Sequence, residues 1–159
     1  MLEKVKEKLE RRLLILPLHH IDTSVILEPE KTHNGRFCKK YLQRLGYNYR
    51  GRLSLPVTGE LFIKISSLIN IQDRQIAFEI ITDLIKARKI DFYVPETISS
   101  NIQKIMSLDT RIKPTDAEIL ACAVEDNAKT LVTLDKILIN NKAIENNFKL
   151  KIMHPKELI

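Results

Sequence analysis

The sequence predicts an α/β protein in which helices cover both faces of a mainly parallel sheet. Short apolar, β-rich runs alternate along the chain with longer segments of helical periodicity. No two neighbouring strand-like runs are joined by a hairpin turn, so helical crossovers are expected to connect the strands. The 159 residues, 44% of them hydrophobic and 29% charged, are enough for one globular domain with its own core.

The N-terminal half begins with a helix that carries a weak apolar stripe and ends near Arg12. The apolar run from Leu13 to Ile21 predicts a buried strand. Pro17 marks the start of this strand or a bulge, because proline cannot donate a hydrogen bond to a sheet. The segments that follow are a basic helix, a weak strand or extended link at 53–56, a helix at 57–70 and a strongly amphipathic helix at 76–88.

The C-terminal half adds three strands and their connecting helices. The predicted strands lie at 90–95, 129–134 and 150–153, with helices at 99–108 and 114–124. In the second of these helices, Thr115 and Glu118 have the spacing of a capping box. No repeat, low-complexity tract or linker is present, so we expect one domain over residues 1–159, with residues 1–12 as a helical extension.

Composition and local pattern exclude several classes of protein. The chain has no run of eighteen apolar residues and no apolar signal-peptide core at its start, so we expect a cytoplasmic protein that does not enter a membrane. Cys38 and Cys122 lie far apart in helical patterns and are predicted to be buried thiols rather than a disulfide or a metal pair. With only four glycines and no phosphate-cradling loop, the chain is not expected to hydrolyse nucleoside triphosphates.

The positive charge of the chain is concentrated in one segment. Residues 31–52 contain seven basic residues and no acid, whereas the rest of the chain carries 19 basic and 20 acidic residues. This segment therefore accounts for the whole net charge of +6. Such an imbalance indicates a surface for a polyanionic partner.

One helix face within this segment forms a cationic stripe, defined as Arg36, Lys40 and Arg44. The residues that share this spacing on another face, and should pack on the core, are Phe37, Tyr41 and Leu45. Tyr47, Tyr49 and Arg50 follow the stripe in the sequence. A solvated helix face is the alternative interpretation, but a stripe of one sign beside aromatic residues favours nucleic acid.

Four carboxylates occupy positions where an α/β protein builds its site. Asp22 follows the first strand, Asp135 follows the strand at 129–134, and Asp116 and Glu60 lie near the starts of apolar helices. Sites in open parallel sheets form outside the carboxyl ends of the strands, so all four side chains are expected at one edge. Taken singly, each acid is explained by helix capping or by a solvated position. Together they indicate a shared site.

The segments around these acids resemble the PIN-domain family of nucleases. The resemblance rests on IDTSVIL around Asp22, VTGELF around Glu60, PTDAEILACAVEDNA around Asp116 and KTLVTLD ending in Asp135. It extends from about Leu14 to the C-terminus and leaves the N-terminal helix outside. The third and fourth segments are the most specific, and the Glu60 segment is the weakest because many helices contain such a glutamate.

The resemblance implies a three-layer α/β/α sandwich and metal-dependent endonucleolytic cleavage of phosphodiester bonds, mostly in RNA. It implies that the acidic site consists of Asp22, Glu60, Asp116 and Asp135. Many small members of the family are toxins of toxin–antitoxin pairs of the VapC type, whereas others process RNA without a known antitoxin. A small antitoxin protein and a homodimeric state are expected by the same resemblance.

The chemistry of clustered carboxylates is consistent with this expectation. Two charges 4 Å apart repel by about 1 kcal/mol in water and about 4 kcal/mol at an effective dielectric near 20. A divalent cation removes this repulsion, and hard oxygen ligands favour Mg²⁺ or Mn²⁺. Ser24 and Thr133 lie beside the acids, where their hydroxyls either position a carboxylate or phosphate or serve ordinary turn and strand structure.

Two function classes follow from these observations. The first is a Mg²⁺- or Mn²⁺-dependent ribonuclease whose stripe holds RNA, with Arg50 as a further contact. The second is a non-catalytic module that keeps the fold and binds nucleic acid or a protein partner. The four acids favour the first, because a pure binder of polyanions gains nothing from an acidic cluster. His19 and His20 are not expected to share a metal ion, since neighbouring residues of a strand point to opposite faces.

Overall fold

The computed structural model describes all residues from Met1 to Ile159 and has the predicted α/β/α architecture. The strands are β1 (Leu18–Ile21), β2 (Arg50–Ser54), β3 (Ile90–Tyr93), β4 (Thr130–Val132) and β5 (Lys151–Met153). They form one sheet in the order β3-β2-β1-β4-β5, and all four strand pairs are parallel. The prediction of a mainly parallel sheet is therefore confirmed.

The helices connect and cover these strands. They are α1 (Leu2–Leu14), α2 (Thr23–Leu27), α3 (His33–Arg44), α4 (Leu55–Ser67), α5 (Ile71–Lys86), α6 (Ser99–Leu108), α7 (Pro114–Glu125) and α8 (Lys142–Phe148), and a short 3₁₀ helix spans Pro155–Leu158. From the central β1 the chain builds outward to β3 and then returns to β4 on the other side of β1. This reversal is the topological switch point, where open α/β sheets form their sites.

The core lies against the middle of the sheet. Ile21, Leu53 and Leu131, from three adjacent strands, are inaccessible to solvent. Six residues of α7 are also buried, which explains why the sequence of this helix is almost entirely apolar. Both cysteines are buried free thiols, as predicted. No helix is long and apolar enough to cross a lipid bilayer.

Two predicted element boundaries are wrong for reasons connected with proline. The first strand begins at Leu18 rather than Leu13, because Leu13 and Leu14 continue α1 and the chain becomes extended only at Pro17. The capping box at Thr115 and Glu118 is absent. Pro114 occupies the first turn of α7, where its fixed φ is favourable, so Lys113 is the N-cap and the helix starts two residues earlier than a Thr115 cap requires.

The predicted amphipathic helix is present as α5, but it runs from Ile71 to Lys86 rather than over 76–88, and most of its apolar side chains remain accessible. Only Leu84 is buried, whereas Ile76 is 54% exposed and Ile80 is 41% exposed. The helix packs beside α4 and the edge strand β3, so one side of it has no further layer to cover it. An amphipathic pattern therefore predicts the helix correctly but does not determine what its apolar face contacts.

The neighbouring histidines of β1 point to opposite faces of the sheet. His19 is buried, shares a hydrogen bond of 3.0 Å with the Tyr41 hydroxyl and stacks on Tyr49. His20 is buried on the other face and contacts Asp126 at 2.7 Å, and Arg52 donates to both oxygens of the same carboxylate. Both side chains are therefore engaged in packing networks.

Candidate functional site

Asp22 is fixed by three hydrogen bonds at the carboxyl end of β1. Its backbone is extended and forms the N-cap of α2, and the residue is only 9% exposed. One carboxylate oxygen accepts from the Thr23 backbone N–H at 2.9 Å. The other accepts from the hydroxyls of Ser24 at 2.7 Å and Thr133 at 2.8 Å. The carboxylate orientation is thus set by α2 and by the segment that follows β4.

Glu60 reaches the same edge from α4. One of its carboxylate oxygens accepts from the Thr23 hydroxyl at 2.9 Å, and the other pairs with Lys64 at 2.9 Å, one turn further along the helix. Thr23 thus connects the segment holding Asp22 to Glu60. Its role was not predicted. The only sequence signal was a hydroxyl residue directly after a strand-end aspartate.

Asp135 is held beside Asp22 through the Thr133 hydroxyl. The Asp135 backbone N–H donates to this hydroxyl at 3.0 Å, while the hydroxyl itself donates to Asp22. The Asp135 carboxylate accepts from the Ile137 backbone N–H at 2.7 Å and is half-buried. Thr133 and Ser24, suggested from the sequence as positioning groups, therefore both contact the Asp22 carboxylate.

Asp116, in the first turn of α7, is the acid on which the electrostatic effect is largest. Burial and, to a smaller extent, the negative charges of Asp135, Asp22 and Glu60 together raise its pKa to about 6, against a smaller opposing effect of Lys113. A helix N-terminus would instead favour the ionised form, usually by under about 1 kcal/mol. Burial and like-charge repulsion outweigh the dipole, so the structure brings all four predicted acids to one edge.

The charge at this edge is only partly compensated by the chain. Lys64 pairs with Glu60, and Lys113 lies near Asp116. No group of three or more His, Cys, Asp or Glu side chains lies close enough together to hold a metal ion directly. The arrangement is an open acidic edge with acceptor oxygens from four elements, which suits a hydrated cation better than a bare one.

The predicted basic residues are distributed along α3 and beyond it. Arg36, Lys40 and Arg44 are exposed, while Tyr41 and Leu45 are buried and Phe37 is half-buried. The start of α3 lies at the acidic edge, where Asn34 hydrogen-bonds His154 after β5.

The stripe leads away from that edge. Arg44 is about 12 Å further along the helix than Arg36, at a rise of about 1.5 Å per residue. Arg50 lies at the opposite edge of the sheet, because its N–H donates to the Pro17 carbonyl before β1. It is therefore remote from the four acids.

Residues 20–144 match the family model described as the PIN domain. The match covers most of the chain and includes Asp22, Glu60, Asp116 and Asp135. The chain belongs to the PIN-domain family. Helix α1 lies outside the matched part, and so does strand β5 of the central sheet.

Solved structures show the same fold. FitAcB from Neisseria gonorrhoeae has a TM-score of 0.61 at 20% identity, covering 86% of this chain and 97% of that one. VapBC2 from Rickettsia felis, bound to a DNA fragment from its promoter, has a TM-score of 0.61 at 18% identity, covering 86% and 98%. VapBC-1 from nontypeable Haemophilus influenzae has a TM-score of 0.60 at 20% identity, covering 87% and 98%. No curated protein sequence matches this PIN chain significantly.

Proposed function

We propose that this PIN protein is a metal-dependent endoribonuclease whose reaction centre is formed by Asp22, Glu60, Asp116 and Asp135. The observation that carries the proposal is that four carboxylates, from four elements, lie at one edge of the sheet, where Asp135, Asp22 and Glu60 are near enough to Asp116 to raise its pKa. Membership of a family whose members are generally nucleases supports the same reading.

The acidic edge fits a hard divalent cation. All its donors are carboxylate oxygens, and their mutual repulsion is visible in the raised pKa of Asp116. Asp22, Asp116 and Asp135 would hold Mg²⁺ or Mn²⁺ directly or through water, and Glu60 would hold a second ion or orient a water. The bound ion would supply Lewis-acid activation of a water and charge stabilisation at the scissile phosphate.

The chain itself positions these groups. Ser24 and Thr133 hold the Asp22 carboxylate, and Thr133 also fixes the backbone of Asp135. Thr23 restricts Glu60 from the side opposite Lys64. Such fixed orientations reduce the reorganisation that catalysis requires, because the oxygen ligands already point to the edge where substrate arrives.

We further propose RNA as the substrate and the cationic stripe as its binding surface. Arg36, at the end of α3 nearest the acids, would contact phosphates close to the cleaved bond, and Lys40 and Arg44 would hold the strand further away. Arg50 would contact only RNA that extends to the other edge of the sheet. The likeness to VapBC structures supports a role as the toxin of a toxin–antitoxin pair, with a small antitoxin as partner. The working form would be a cytoplasmic homodimer.

The decisive experiment is cleavage of mixed RNA and DNA with Mg²⁺ or Mn²⁺ by the parent and by variants of the acidic edge. Asp22→Asn and Asp116→Asn should each lower the RNA cleavage rate by roughly 100-fold or more, as expected for loss of a charge-stabilising group. Glu118→Gln is the matched control, because Glu118 lies on α7 beside Asp116 but is not one of the four acids. It should cleave at the parental rate.

Three outcomes would contradict parts of this proposal. Cleavage of DNA in preference to RNA would show that the proposed substrate is wrong. Unchanged cleavage by either Asn variant would remove that residue from the reaction centre. A parent that binds nucleic acid but cleaves neither substrate with either metal would favour the non-catalytic binding module.

A further inference from the structure

We infer that helix α1 of one copy of the chain docks into an apolar groove on a second copy, in a reciprocal exchange that holds the homodimer together. The groove, called the α3–α5 groove, lies between α2 and α3 on one side and α4 and α5 on the other. Apolar residues that line it include Val25, Leu42, Leu68, Ile76, Ile80 and Leu84. The inference rests on the proposed homodimer and is independent of nuclease activity.

The groove is suited to a polypeptide rather than a small molecule. Its volume is about 1160 Å³, above the range of about 300–1,000 Å³ that is usual for small-molecule pockets. Ile76 and Ile80 are 54% and 41% exposed along one side of it. These isoleucines leave apolar surface uncovered along that side of the groove.

Helix α1 has the pattern of a helix that binds in a groove. None of its residues is buried, and Leu2, Val5 and Leu9 are 88%, 64% and 48% exposed. Their spacing is i, i+3 and i+7, which places anchor side chains on one face of a docked helix. The 13 residues of α1 span about 20 Å, at about 1.5 Å per residue.

The charges of helix and groove are complementary. Helix α1 carries five basic and three acidic residues, and Lys4, Lys6 and Lys8 form no ion pair. The groove is lined by four acids and three lysines. Lys39 and Lys64 already pair with glutamates, whereas Asp73 and Asp83 form no ion pair. Lys89, the third lysine, also pairs with no carboxylate, so the groove carries two unpaired aspartates against one unpaired lysine. It therefore offers a small excess of negative charge to a helix that carries unpaired positive charge.

The position of α1 points to a second copy as the occupant. Glu10 pairs with Arg88 at 2.8 Å, directly after Ala87 at one end of the groove. This contact and the short link to β1 hold the C-terminal part of α1 beside its own groove, while Leu2 and Val5 remain uncovered. Two copies related by a twofold axis would exchange these helices, so that both stripes and both grooves become buried.

The inference is tested by sedimentation equilibrium of the full-length chain and of helix variants. Val5→Asp should raise the dimer dissociation constant by roughly 100-fold, about tenfold for each of the two equivalent contacts. Val94→Asp is the matched control, since Val94 is 67% exposed, close to the 64% of Val5, and does not line the groove. It should dimerise like the parent.

A substitution in the groove and a mixing experiment test whether α1 of one copy occupies the groove of the other. Ile76→Glu should dissociate the dimer, whereas Ile63→Glu, on an exposed position outside the groove, should not. When Val5→Asp and Ile76→Glu chains are mixed, the intact helix of the second fits the intact groove of the first. A contact already broken by one substitution loses little from a second, so the heterodimer should bind about tenfold more weakly than the parent dimer but more tightly than either variant dimer. Circular dichroism should show that each variant is folded.

Other outcomes overturn the inference. An undisturbed dimer in the Val5→Asp variant would place the dimer interface elsewhere. Variants that are monomeric but do not complement one another would indicate that α1 occupies its own groove. A monomeric parent would refute the homodimer itself and leave the groove to another protein, such as an antitoxin. None of these results depends on cleavage, so failure of the nuclease proposal is recognised separately.

Discussion

At the scale of single residues, the most informative group is Asp116. It lies in the first turn of a helix, where an aspartate is ordinarily favoured, yet its pKa is raised to about 6 because burial and three neighbouring carboxylates disfavour its charge. Asp22 is different, because one backbone N–H and two hydroxyls stabilise its carboxylate. The two acids at this edge therefore have different surroundings: Asp116 lies among like charges, and Asp22 accepts three hydrogen bonds.

This difference predicts opposite effects of two amide substitutions on the metal-free protein. Asp116→Asn should raise the free energy of unfolding near pH 8 by about 1–2 kcal/mol after allowance for solvent screening. The folded-state pKa of Asp116 lies above the unfolded value, so this gain in stability is complete above about pH 6 and vanishes as the pH falls toward 3.8.

Asp22→Asn should instead be destabilising, because an amide nitrogen cannot accept the hydroxyl hydrogen bonds. Urea unfolding in chelator measures both, and equal effects would contradict the assignment.

The buried histidine of β1 predicts a second pH dependence. Burial, and to a smaller extent the charge of Lys129, lower the pKa of His19 from 6.5 to about 4. Acidification therefore protonates the unfolded chain first, and stability is complete above about pH 6.5 and is lost as the pH falls toward 4. The loss between about pH 7 and pH 5 should be about 2 kcal/mol.

His19→Phe should remove this pH dependence, because the ring keeps its packing beside Tyr49 but no longer titrates. His33→Phe is the control on an exposed histidine and should retain the parental loss. Urea unfolding of the parent and both variants at the two pH values provides the measurement. A parental pH dependence in His19→Phe would show that other groups cause it.

At the scale of elements, the two helical glycines have opposite surroundings. A Cβ at Gly35, in α3, would lie 1.9 Å from the carbonyl oxygen of Pro29. A Cβ at Gly59, in α4, would meet no atom within 4 Å. Gly35 thus lets α3 approach the segment after α2 closely, which positions the stripe helix, whereas Gly59 only lowers the helical propensity of α4.

These surroundings predict opposite effects of the same substitution. Alanine in a helix interior is favoured over glycine by about 1 kcal/mol, so Gly59→Ala should stabilise the chain by up to that amount. Gly35→Ala gains the same propensity but must displace backbone, and should destabilise by roughly 1–3 kcal/mol overall. Thermal unfolding of both variants tests the comparison, and a stabilised Gly35→Ala would show that the contact is not rigid.

At the scale of the whole molecule, the distribution of charge determines how the protein meets a polyanion. The acidic edge repels phosphates unless a cation is bound, whereas the stripe on α3 attracts them. The net charge of +6 originates in the segment that contains the stripe. Binding and cleavage are therefore expected to depend on different side chains, and they can be separated experimentally.

The salt dependence of RNA binding tests this separation in an inactive Asp116→Asn background. Replacing Arg36, Lys40 and Arg44 by glutamine removes three phosphate contacts, so the slope of log affinity against log salt should decrease by about 2 to 3. The loss should be similar for all RNA sequences, because phosphate contacts do not read bases.

An equal change of charge elsewhere provides the control. Glutamine at Lys86, Lys129 and Lys149, all exposed and away from the stripe, should leave the slope nearly unchanged. Parallel salt dependences for the parent and the stripe variant would leave the stripe as a solvated face or a protein-binding surface.

The sequence by itself determined the α/β class, the parallel sheet and the convergence of four acids. These follow from local information: periodicity separates strands from helices, and in a parallel sheet the carboxyl end of every strand lies at one edge. It also located α6 and α7 closely, since their apolar spacing and boundaries are encoded within each segment. The positions of Ser24 and Thr133 beside the acids were readable in the same way.

Only the tertiary structure decided which groups contact one another across the edge. The Thr133–Asp22 hydrogen bond joins residues 111 apart, and the His20–Asp126 contact joins residues 106 apart. Such pairs depend on strand order, register and helix packing, which no local pattern specifies. For the same reason, α5 was predicted to be amphipathic, but the exposure of its apolar face depends on its place beside an edge strand. Sequence thus encodes which elements form, and packing decides which side chains meet.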